Sequence, residues 1–215
     1  MKKGNSYQDL LDNNRVWVAE KLEEDPRYFE TLANGQNPPY LFIGCSDSRK
    51  PIDIITKTEP GELFIHRNIG NQVALTDLNL LSVLDYAVNA LNVKHIIVCG
   101  HTCCGAVEAA LTDTAVGTVI NWVSGLRDLY LSNKEVIDLL PTTSKKLALL
   151  SKINVIKQVK NLCKTSILRK AATSGTFPEL HGWVFDLETG LISDEPLPLD
   201  AWEKAGLIPK RELTI

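Results

Sequence analysis

The sequence predicts an α/β fold in which a mainly parallel central β-sheet is flanked by helices, with a helical N-terminal arm and a C-terminal β element. Short apolar segments bounded by turn residues alternate along the chain with longer segments of helical periodicity. This alternation is typical of parallel strands joined by crossover helices. Near the end of the chain a strand pattern runs into a hairpin, which adds the β element.

The N-terminal segment predicts the arm. Residues 6–34 are rich in helix formers and end where Gly35 and the pair Pro38–Pro39 stop a helix. We therefore expect residues 1–35 to form a helical arm on a single domain that spans residues 1–215.

Strands and helices then alternate. The apolar run 40–45 breaks into a polar turn and predicts a buried strand, and 62–68 predicts a second strand after a Pro-Gly turn. Thr76 is suited to cap a helix over 76–91. The remaining predicted elements are a strand over 94–101, helices over 104–111, over 116–131 and up to about 173, and a strand with a hairpin over 180–192.

The composition is that of a soluble globular protein. Hydrophobic residues make up 44% and charged residues 23% of the 215 residues, and no apolar run approaches the roughly 20 residues of a membrane-spanning helix. The net charge of −3 gives no general reason to expect nucleic acid or an anionic membrane as a partner. Residues 145–170 carry eight basic and no acidic side chains. Their apolar residues recur at helical spacing, which favours a core-packed helix with a solvated basic face over an anion-binding surface.

The cysteines indicate a reducing compartment. Their number is odd, and the N-terminal segment turns polar straight after two lysines, without the apolar middle of a secretory signal. We therefore expect a cytoplasmic protein with reduced thiols rather than a disulfide framework. The five cysteines are Cys45, Cys99, Cys103, Cys104 and Cys163.

Reactive side chains follow two of the predicted strands. The strand over 40–45 ends in a thiol, and the strand over 94–101 ends in an imidazole. Functional sites of parallel sheets gather beyond the carboxyl ends of the strands, so side chains at these two ends converge if the strands are neighbours. They are Cys45, Asp47, Arg49, His101, Cys103 and Cys104.

These residue types predict a zinc site. Thiolate sulfur and imidazole nitrogen are preferred zinc ligands, and three protein ligands leave a fourth position for water or substrate. Cys45, His101 and one cysteine of the pair Cys103 and Cys104 provide such a set. Cys99 lies inside the strand, where a place in the core is the better interpretation.

Asp47 and Arg49 add an acid-base pair beside that site. Two thiolates neutralise the charge of Zn(II), so water bound there needs help to ionise. Asp47 can accept a hydrogen bond from metal-bound water or hydroxide, and Arg49 can hold that carboxylate by a forked ion pair. Hydroxide on zinc would then attack an electrophilic carbon. Taken alone, Asp47 would be a turn residue and Arg49 a surface residue.

Three motifs together are highly specific. They are GCSDSR, PGELFIHRNIGN and, about fifty residues after the first, CGHTCCGA. With them the chain closely resembles the β-class carbonic anhydrases over nearly its whole length. The resemblance implies reversible hydration of CO2 to bicarbonate and a proton, with one Zn(II) per subunit. It also implies a homodimer or a dimer of dimers in which the arm packs on a partner subunit.

The resemblance also assigns the site residues. In this sequence the matched positions are Cys45, His101 and Cys104 for zinc, and Asp47 and Arg49 for the catalytic pair.

The spacing within CGHTCCGA agrees with Cys104 as the ligand. Thr102 and Cys103 give the chain room to turn, so that the side chain of Cys104 can point back at the metal. Cys103 is then expected to be a bystander, a small thiol that is buried or lies next to the ligands.

A substrate pocket follows from the same resemblance. Gln36 matches an amide that orients the substrate, Phe64, Ile69 and Tyr86 match an apolar wall, and Gly105 belongs to the same substrate site. In the family part of that wall comes from the neighbouring subunit. Without the resemblance, plain core packing would be the better interpretation of the three apolar residues.

Two other functions stay open. One is a hydrolase of carbonyl sulfide or carbon disulfide on the same scaffold. The other is a non-catalytic zinc or thiol sensor in which Cys103 and Cys104 respond to oxidation. A sensor has no need of Asp47 and Arg49, which argues against it.

One departure from the family pattern concerns inhibition. Some members resemble one another in binding bicarbonate at a non-catalytic inhibitory site through a tryptophan, a tyrosine and an arginine. Here Arg67 is present, but the other two positions hold Phe42 and Phe185. We therefore expect bicarbonate inhibition at that site to be weak or absent.

Overall fold

The computed structural model describes residues 6–210, which fall into two compact units, one up to residue 36 and one from residue 37 onward. In the first unit, helix α1 spans Tyr7–Glu24 and helix α2 spans Tyr28–Ala33. A capping box starts α1, because the Ser6 hydroxyl accepts the Asp9 backbone N–H and the Asp9 carboxylate accepts that of Ser6. The helical prediction for 6–34 is therefore confirmed, with a break between the two helices.

The second unit contains a five-stranded sheet within the described residues. Its strands are β1 (Tyr40–Cys45), β2 (Leu63–Asn68), β3 (His95–His101), β4 (Glu179–Phe185) and β5 (Ile192–Asp194). Their order is β2-β1-β3-β4-β5; the first four are parallel and β5 is antiparallel to β4. The predicted α/β class with a mainly parallel sheet and a C-terminal β element is thus confirmed.

Helices connect these strands and cover the sheet. They are α3 (Ile52–Thr56), α4 (Leu78–Asp85), α5 (Gly105–Thr112), α6 (Val119–Ser132), α7 (Lys134–Asp138), α8 (Thr143–Lys164), α9 (Ser166–Ser174) and α10 (Leu199–Lys204). The helix predicted over 76–91 continues beyond α4 as a π-helical turn, Tyr86–Ala90.

Both faces of the central strands are buried. On one face Leu41, Ile43, Ile96 and Val98 join a core formed with α4, α8 and α9. The intervening Phe42, Ile97 and Cys99 point to the other face and pack with Ile52 and Phe185. The apolar alternation of each strand thus fills both sides of the sheet, as expected for parallel strands between helices.

The basic segment is helical and packs on the core, as predicted, but it is divided at Thr165 into α8 and α9 rather than forming one helix. Buried residues of α8 include Leu150, Val155, Val159 and Leu162, and α8 packs on β3 and β4. The close approach depends on Gly100, where an added Cβ would lie only 2.8 Å from Val155 Cγ2. Among the described residues, no helix combines the length and apolar character that a membrane crossing requires.

Candidate active site

The ends of β1 and β3 bring together three side chains that could hold a metal ion. The two strands are parallel neighbours, so Cys45 at the end of β1 and His101 at the end of β3 lie at the same edge of the sheet. Cys104 is the N-cap of α5, and its Sγ lies 4.0 Å from Sγ of Cys45. All three residues are buried.

His101 is oriented for ligation. Its Nδ1 lies 2.8 Å from the carbonyl oxygen of Thr102, a contact that assigns the ring proton to Nδ1 and leaves the lone pair on Nε2. Nε2 is buried and has no hydrogen-bond partner. A buried lone pair without a donor is costly, and a metal ion bound at this nitrogen would remove that cost.

The three donor atoms fit a tetrahedral zinc ion. They lie within 4.8 Å of one another. With Zn–S bonds of about 2.3 Å, tetrahedral geometry separates two sulfurs by about 3.8 Å, close to the observed 4.0 Å. Two sulfurs and one nitrogen leave a fourth position open, which is the pattern of catalytic rather than structural zinc sites.

The two thiols depend on one another for their protonation. The Cys104 thiol, His101 and the backbone N–H groups of Gly70 and Asp47 lower the pKa of Cys45. The same contact and burial raise the pKa of Cys104. A dication bound between the two sulfurs would lower the pKa of both thiols, because it stabilises both as thiolates.

Asp47 and Arg49 form the predicted forked ion pair. Arg49 donates from Nε to Oδ1 at 3.0 Å and from Nη2 to Oδ2 at 2.6 Å, and its backbone N–H also donates to Oδ1. These contacts hold the pKa of Asp47 well below its usual range. Oδ2 of Asp47 lies 3.8 Å from Nε2 of His101, so an ionised carboxylate borders the metal-binding triangle.

Arg67 positions the turn that carries Asp47. From β2 it donates through Nε to the carbonyl oxygen of Cys45 at 2.9 Å and through Nη2 to that of Asp47 at 2.5 Å. The sequence predicts Arg67 only as part of an inhibitory site. Arg67 is paired with Gly44 of the neighbouring parallel strand β1. This register depends on how two strands pair, so the sequence of either strand alone does not reveal it.

Lys50 is a second residue whose role the motifs did not indicate. It is fully buried, donates from Nζ to the carbonyl oxygen of Cys99 at 2.8 Å, and lies 5.2 Å from the ring centroid of Phe42. A lysine one residue after Arg49 gives no sign in the sequence that it enters the core.

Comparisons with known proteins agree with this geometry. A family model described as carbonic anhydrase matches residues 40–192. A carbonic anhydrase of Emericella nidulans is 43% identical over 88% of this chain and 83% of its own length. One of two tetrameric β-carbonic anhydrases of the filamentous ascomycete Sordaria macrospora has a crystal structure with a TM-score of 0.85 and 36% identity, covering 88% of this chain and 96% of that one. The chain belongs to the β-carbonic anhydrase family.

A further solved structure extends the match to nearly the whole length. A β-carbonic anhydrase of Coccomyxa, in complex with acetazolamide, has a TM-score of 0.87 and 36% identity over 97% of this chain and 95% of that one. Membership makes the protein an enzyme of the carbonic anhydrase class, as the motifs predicted.

The residues assigned to a β-carbonic anhydrase pocket are largely exposed. Phe64 is half-buried, and its ring centroid lies 5.7 Å from that of Tyr86. Ile69 is 43% and Tyr86 is 49% exposed. Gly105 begins α5 next to Cys104, and a Cβ added there would meet no atom within 4 Å. Gln36 lies in the N-terminal unit and is exposed.

The cysteine pair separates into two environments. Cys104 is buried among the metal-binding atoms, whereas Cys103 is exposed. Of the two expectations for Cys103, a buried thiol is therefore wrong, whereas a bystander thiol that lies next to the ligands stays a prediction. Its backbone has φ of +53°, a left-handed conformation that turns the side chain outward, while its carbonyl oxygen accepts a hydrogen bond from Arg49. Cys99 is fully buried in the core, as predicted.

Proposed function

We propose that this protein catalyses the reversible hydration of CO2 to bicarbonate and a proton, with one Zn(II) per subunit bound by Cys45, His101 and Cys104. The observation that carries the proposal is the buried triangle of two sulfurs and one unpartnered imidazole nitrogen beside an ionised carboxylate. The names of the similar proteins support CO2 as the substrate.

Zinc bound in the triangle would supply a nucleophile at neutral pH by lowering the pKa of a coordinated water molecule. With two thiolates in the ligand set its charge is neutralised, so the neighbouring groups must assist. Asp47 would accept a hydrogen bond from the nucleophile at Oδ2, the carboxylate oxygen nearest His101 Nε2. This contact would orient a lone pair of the nucleophile toward CO2.

Arg49 would keep Asp47 in the state that this role requires. Its two donors occupy both carboxylate oxygens, which fixes the plane of the carboxylate and keeps it ionised. A third contact, from Nη2 of Arg49 to the carbonyl oxygen of Cys103, ties the pair to the turn before α5. One arginine would thereby connect the catalytic carboxylate to both ligand-bearing segments.

An apolar wall of Phe64, Ile69 and Tyr86 would hold CO2, with Gly105 in the same substrate site. The role of Gln36 as the orienting amide stays a prediction. An uncharged linear molecule gains little from polar contacts, so small apolar surfaces suit it. The exposure of Ile69 and Tyr86 supports a wall completed by a second subunit.

Self-association is part of the proposal. Tyr7, Leu10 and Val16 of α1 are 77%, 66% and 57% exposed, which gives the arm an apolar surface to pack on a partner subunit. The Sordaria macrospora enzymes are tetrameric, which supports a dimer of dimers here as well. The location that we propose is cytoplasmic, in line with five free cysteines.

Stopped-flow measurement of CO2 hydration, combined with metal analysis of the same sample, tests the proposal. We expect about one zinc per chain together with turnover. Asp47→Asn should keep its zinc and lose about 10²–10⁴-fold in rate, because it retains the volume of Asp47 but not its charge. Zinc without turnover in the unmutated protein would overturn the proposed reaction, and unchanged turnover in Asp47→Asn would overturn the role of the carboxylate.

Activity measured with carbonyl sulfide and with carbon disulfide, on the same zinc-loaded sample, distinguishes the alternative hydrolase function from CO2 hydration. Hydrolysis of either that exceeds CO2 hydration would reverse the substrate assignment. Membership of an enzyme family argues against the sensor, since the Asp47–Arg49 pair has no use in one.

A further inference from the structure

We propose a second metal site at the opposite end of the sheet, in which His95, Glu179 and His181 bind a divalent transition-metal ion such as Zn²⁺ or Co²⁺. This site is independent of the proposed CO2 chemistry. It uses none of the residues of the candidate active site.

The sheet register brings the three side chains together. β3 begins at His95 and β4 begins at Glu179, and these two residues are direct partners in the parallel pairing. His181 lies two residues along β4, so it projects from the same face as Glu179. His95 and His101 are the two ends of β3, which separates the two sites by about 20 Å along the strand.

The donor atoms have the separations that a metal ion requires. Nδ1 of His95 lies 3.1 Å from Nε2 of His181 and 3.5 Å from Oε2 of Glu179, and Nε2 of His181 lies 4.0 Å from the same carboxylate oxygen. Tetrahedral zinc with N and O ligands at about 2.0–2.1 Å separates its ligand atoms by about 3.3–3.4 Å. Shifts of a few tenths of an ångström would therefore bring all three atoms into a first coordination sphere.

The chemistry of the set selects the class of ion. Two imidazoles and one carboxylate suit first-row transition metals and disfavour Mg²⁺ and Ca²⁺, which prefer oxygen ligands alone. Both histidine rings are partly buried, and the ring of His95 stacks on Tyr40 with centroids 5.3 Å apart, which limits its rotation.

A cavity gives an ion access to these ligands. It measures about 600 Å³ and is lined by Glu179, His181, Asp194, Pro196 and Leu197 among others. Water or a small anionic ligand can reach the metal from this side and complete its coordination. The carboxylate of Asp194 also faces His181 and adds negative charge that favours a dication.

The competing explanation is structural. One imidazole nitrogen donates to the other, and Glu179 forms an ordinary surface ion pair with them. Metal titration of the unmutated protein and of Glu179→Gln separates the two explanations, because only a metal site makes Co²⁺ affinity depend on the carboxylate.

Co²⁺ added to the zinc-loaded protein provides the test. We expect equilibrium dialysis to show about one Co²⁺ bound per chain, with a visible spectrum of nitrogen and oxygen ligands that lacks a sulfur-to-cobalt charge-transfer band. Such a band would instead place the ion on the exposed thiol of Cys103 or in exchange for the active-site zinc, and would overturn the proposal.

Variants identify the ligands. His95→Gln, His181→Gln and Glu179→Gln should each weaken Co²⁺ binding by at least about tenfold, whereas Glu188→Gln, an exposed carboxylate in the turn after β4, should bind as the unmutated protein does. Glu179 is 75% exposed at its side chain, so its substitution keeps the test valid even if a histidine variant fails to fold. The CO2 hydration rate of all four should be unchanged. Equal Co²⁺ affinity in the unmutated protein and in Glu179→Gln would leave the ion with too few ligands and overturn the site.

Discussion

Arg67 reaches from β2 to the turn after β1 and donates to the carbonyl oxygen of Asp47 at 2.5 Å. Its Nε also donates to the carbonyl oxygen of Cys45, so one guanidinium group holds the backbone of the candidate zinc ligand Cys45 and of Asp47 at once. The two carbonyl groups are consequently fixed relative to each other without any direct contact between the side chains of Cys45 and Asp47.

Arg67→Met should therefore impair the site from a distance. Each charge-assisted hydrogen bond contributes about 1.5–3 kcal/mol, and methionine leaves both carbonyl oxygens without their donor. Because such supporting contacts typically change metal affinity or activity by about 10–100-fold, we expect a loss of that size in zinc affinity, in kcat, or in both. Competition with a zinc chelator and stopped-flow CO2 hydration measure the two losses separately.

Arg67→Lys and Arg169→Met complete this experiment. Lysine restores one point charge but not the fork, so Arg67→Lys should recover only part of the loss. Arg169 is exposed on α9, and Arg169→Met should behave as the unmutated protein. Full zinc retention and a normal rate in Arg67→Met would show that the turn keeps its geometry without this side chain.

The cysteine pair offers a matched comparison at adjacent positions. Cys104→Ser replaces a sulfur that faces Cys45 with a poorer zinc ligand, and it should lose both zinc and activity. Cys103→Ser changes an exposed side chain and leaves the carbonyl that accepts from Arg49, so it should keep both. Metal analysis and the hydration assay on the two variants decide the assignment, and the reverse pattern would make Cys103 the ligand.

Local patterns in the sequence predict where the strands end, but they do not predict every backbone angle. Cys45 and His101 could be predicted because each ends a strand whose apolar run is visible locally, and parallel pairing alone brings the ends together. The exposure of Cys103 depends on a left-handed backbone angle, which the sequence leaves unmarked because the residue is not glycine. The sequence also gives no sign that Thr165 ends one helix and begins another. Its hydroxyl caps α9, so the predicted basic helix is divided in two at this residue.

Contacts between distant segments were the least predictable. The burial of Lys50 depends on a carbonyl of β3 and the ring of Phe42, which the order of residues does not connect. His95 is also far along the chain from Glu179 and His181, and only the register of β3 against β4 brings the three residues together. A histidine at the start of a strand gave no indication of a partner.

Bicarbonate should not inhibit through a non-catalytic site. Arg67, the one polar residue retained there, already donates to two backbone carbonyl groups, and Phe42 is fully buried beneath Lys50. Hydration rates measured at moderately alkaline pH with increasing bicarbonate should show only immediate, non-cooperative product inhibition. A slow, cooperative loss of activity would mean that Arg67 can leave its carbonyl partners for an anion.

The carboxylate of Asp138 should make the stability of the fold depend on pH in the acid range. Its carboxylate accepts hydrogen bonds from Lys134, Lys146 and the hydroxyl of Tyr130, which together lower its pKa to about 2. A folded-state pKa below the unfolded value of 3.8 stabilises the protein above that value, and this contribution is lost as pH falls from about 4 toward about 2. Asp138→Asn should therefore lower Tm near neutral pH, and the difference between its Tm and that of the unmutated protein should shrink as pH falls through that window.

Asp128→Asn on the exposed face of α6 is the control and should show no such convergence. Thermal melts of the three proteins across the acid range measure this, and a Tm difference for Asp138→Asn that stays constant with pH would mean that its charge does not support the contact between α6, α7 and α8.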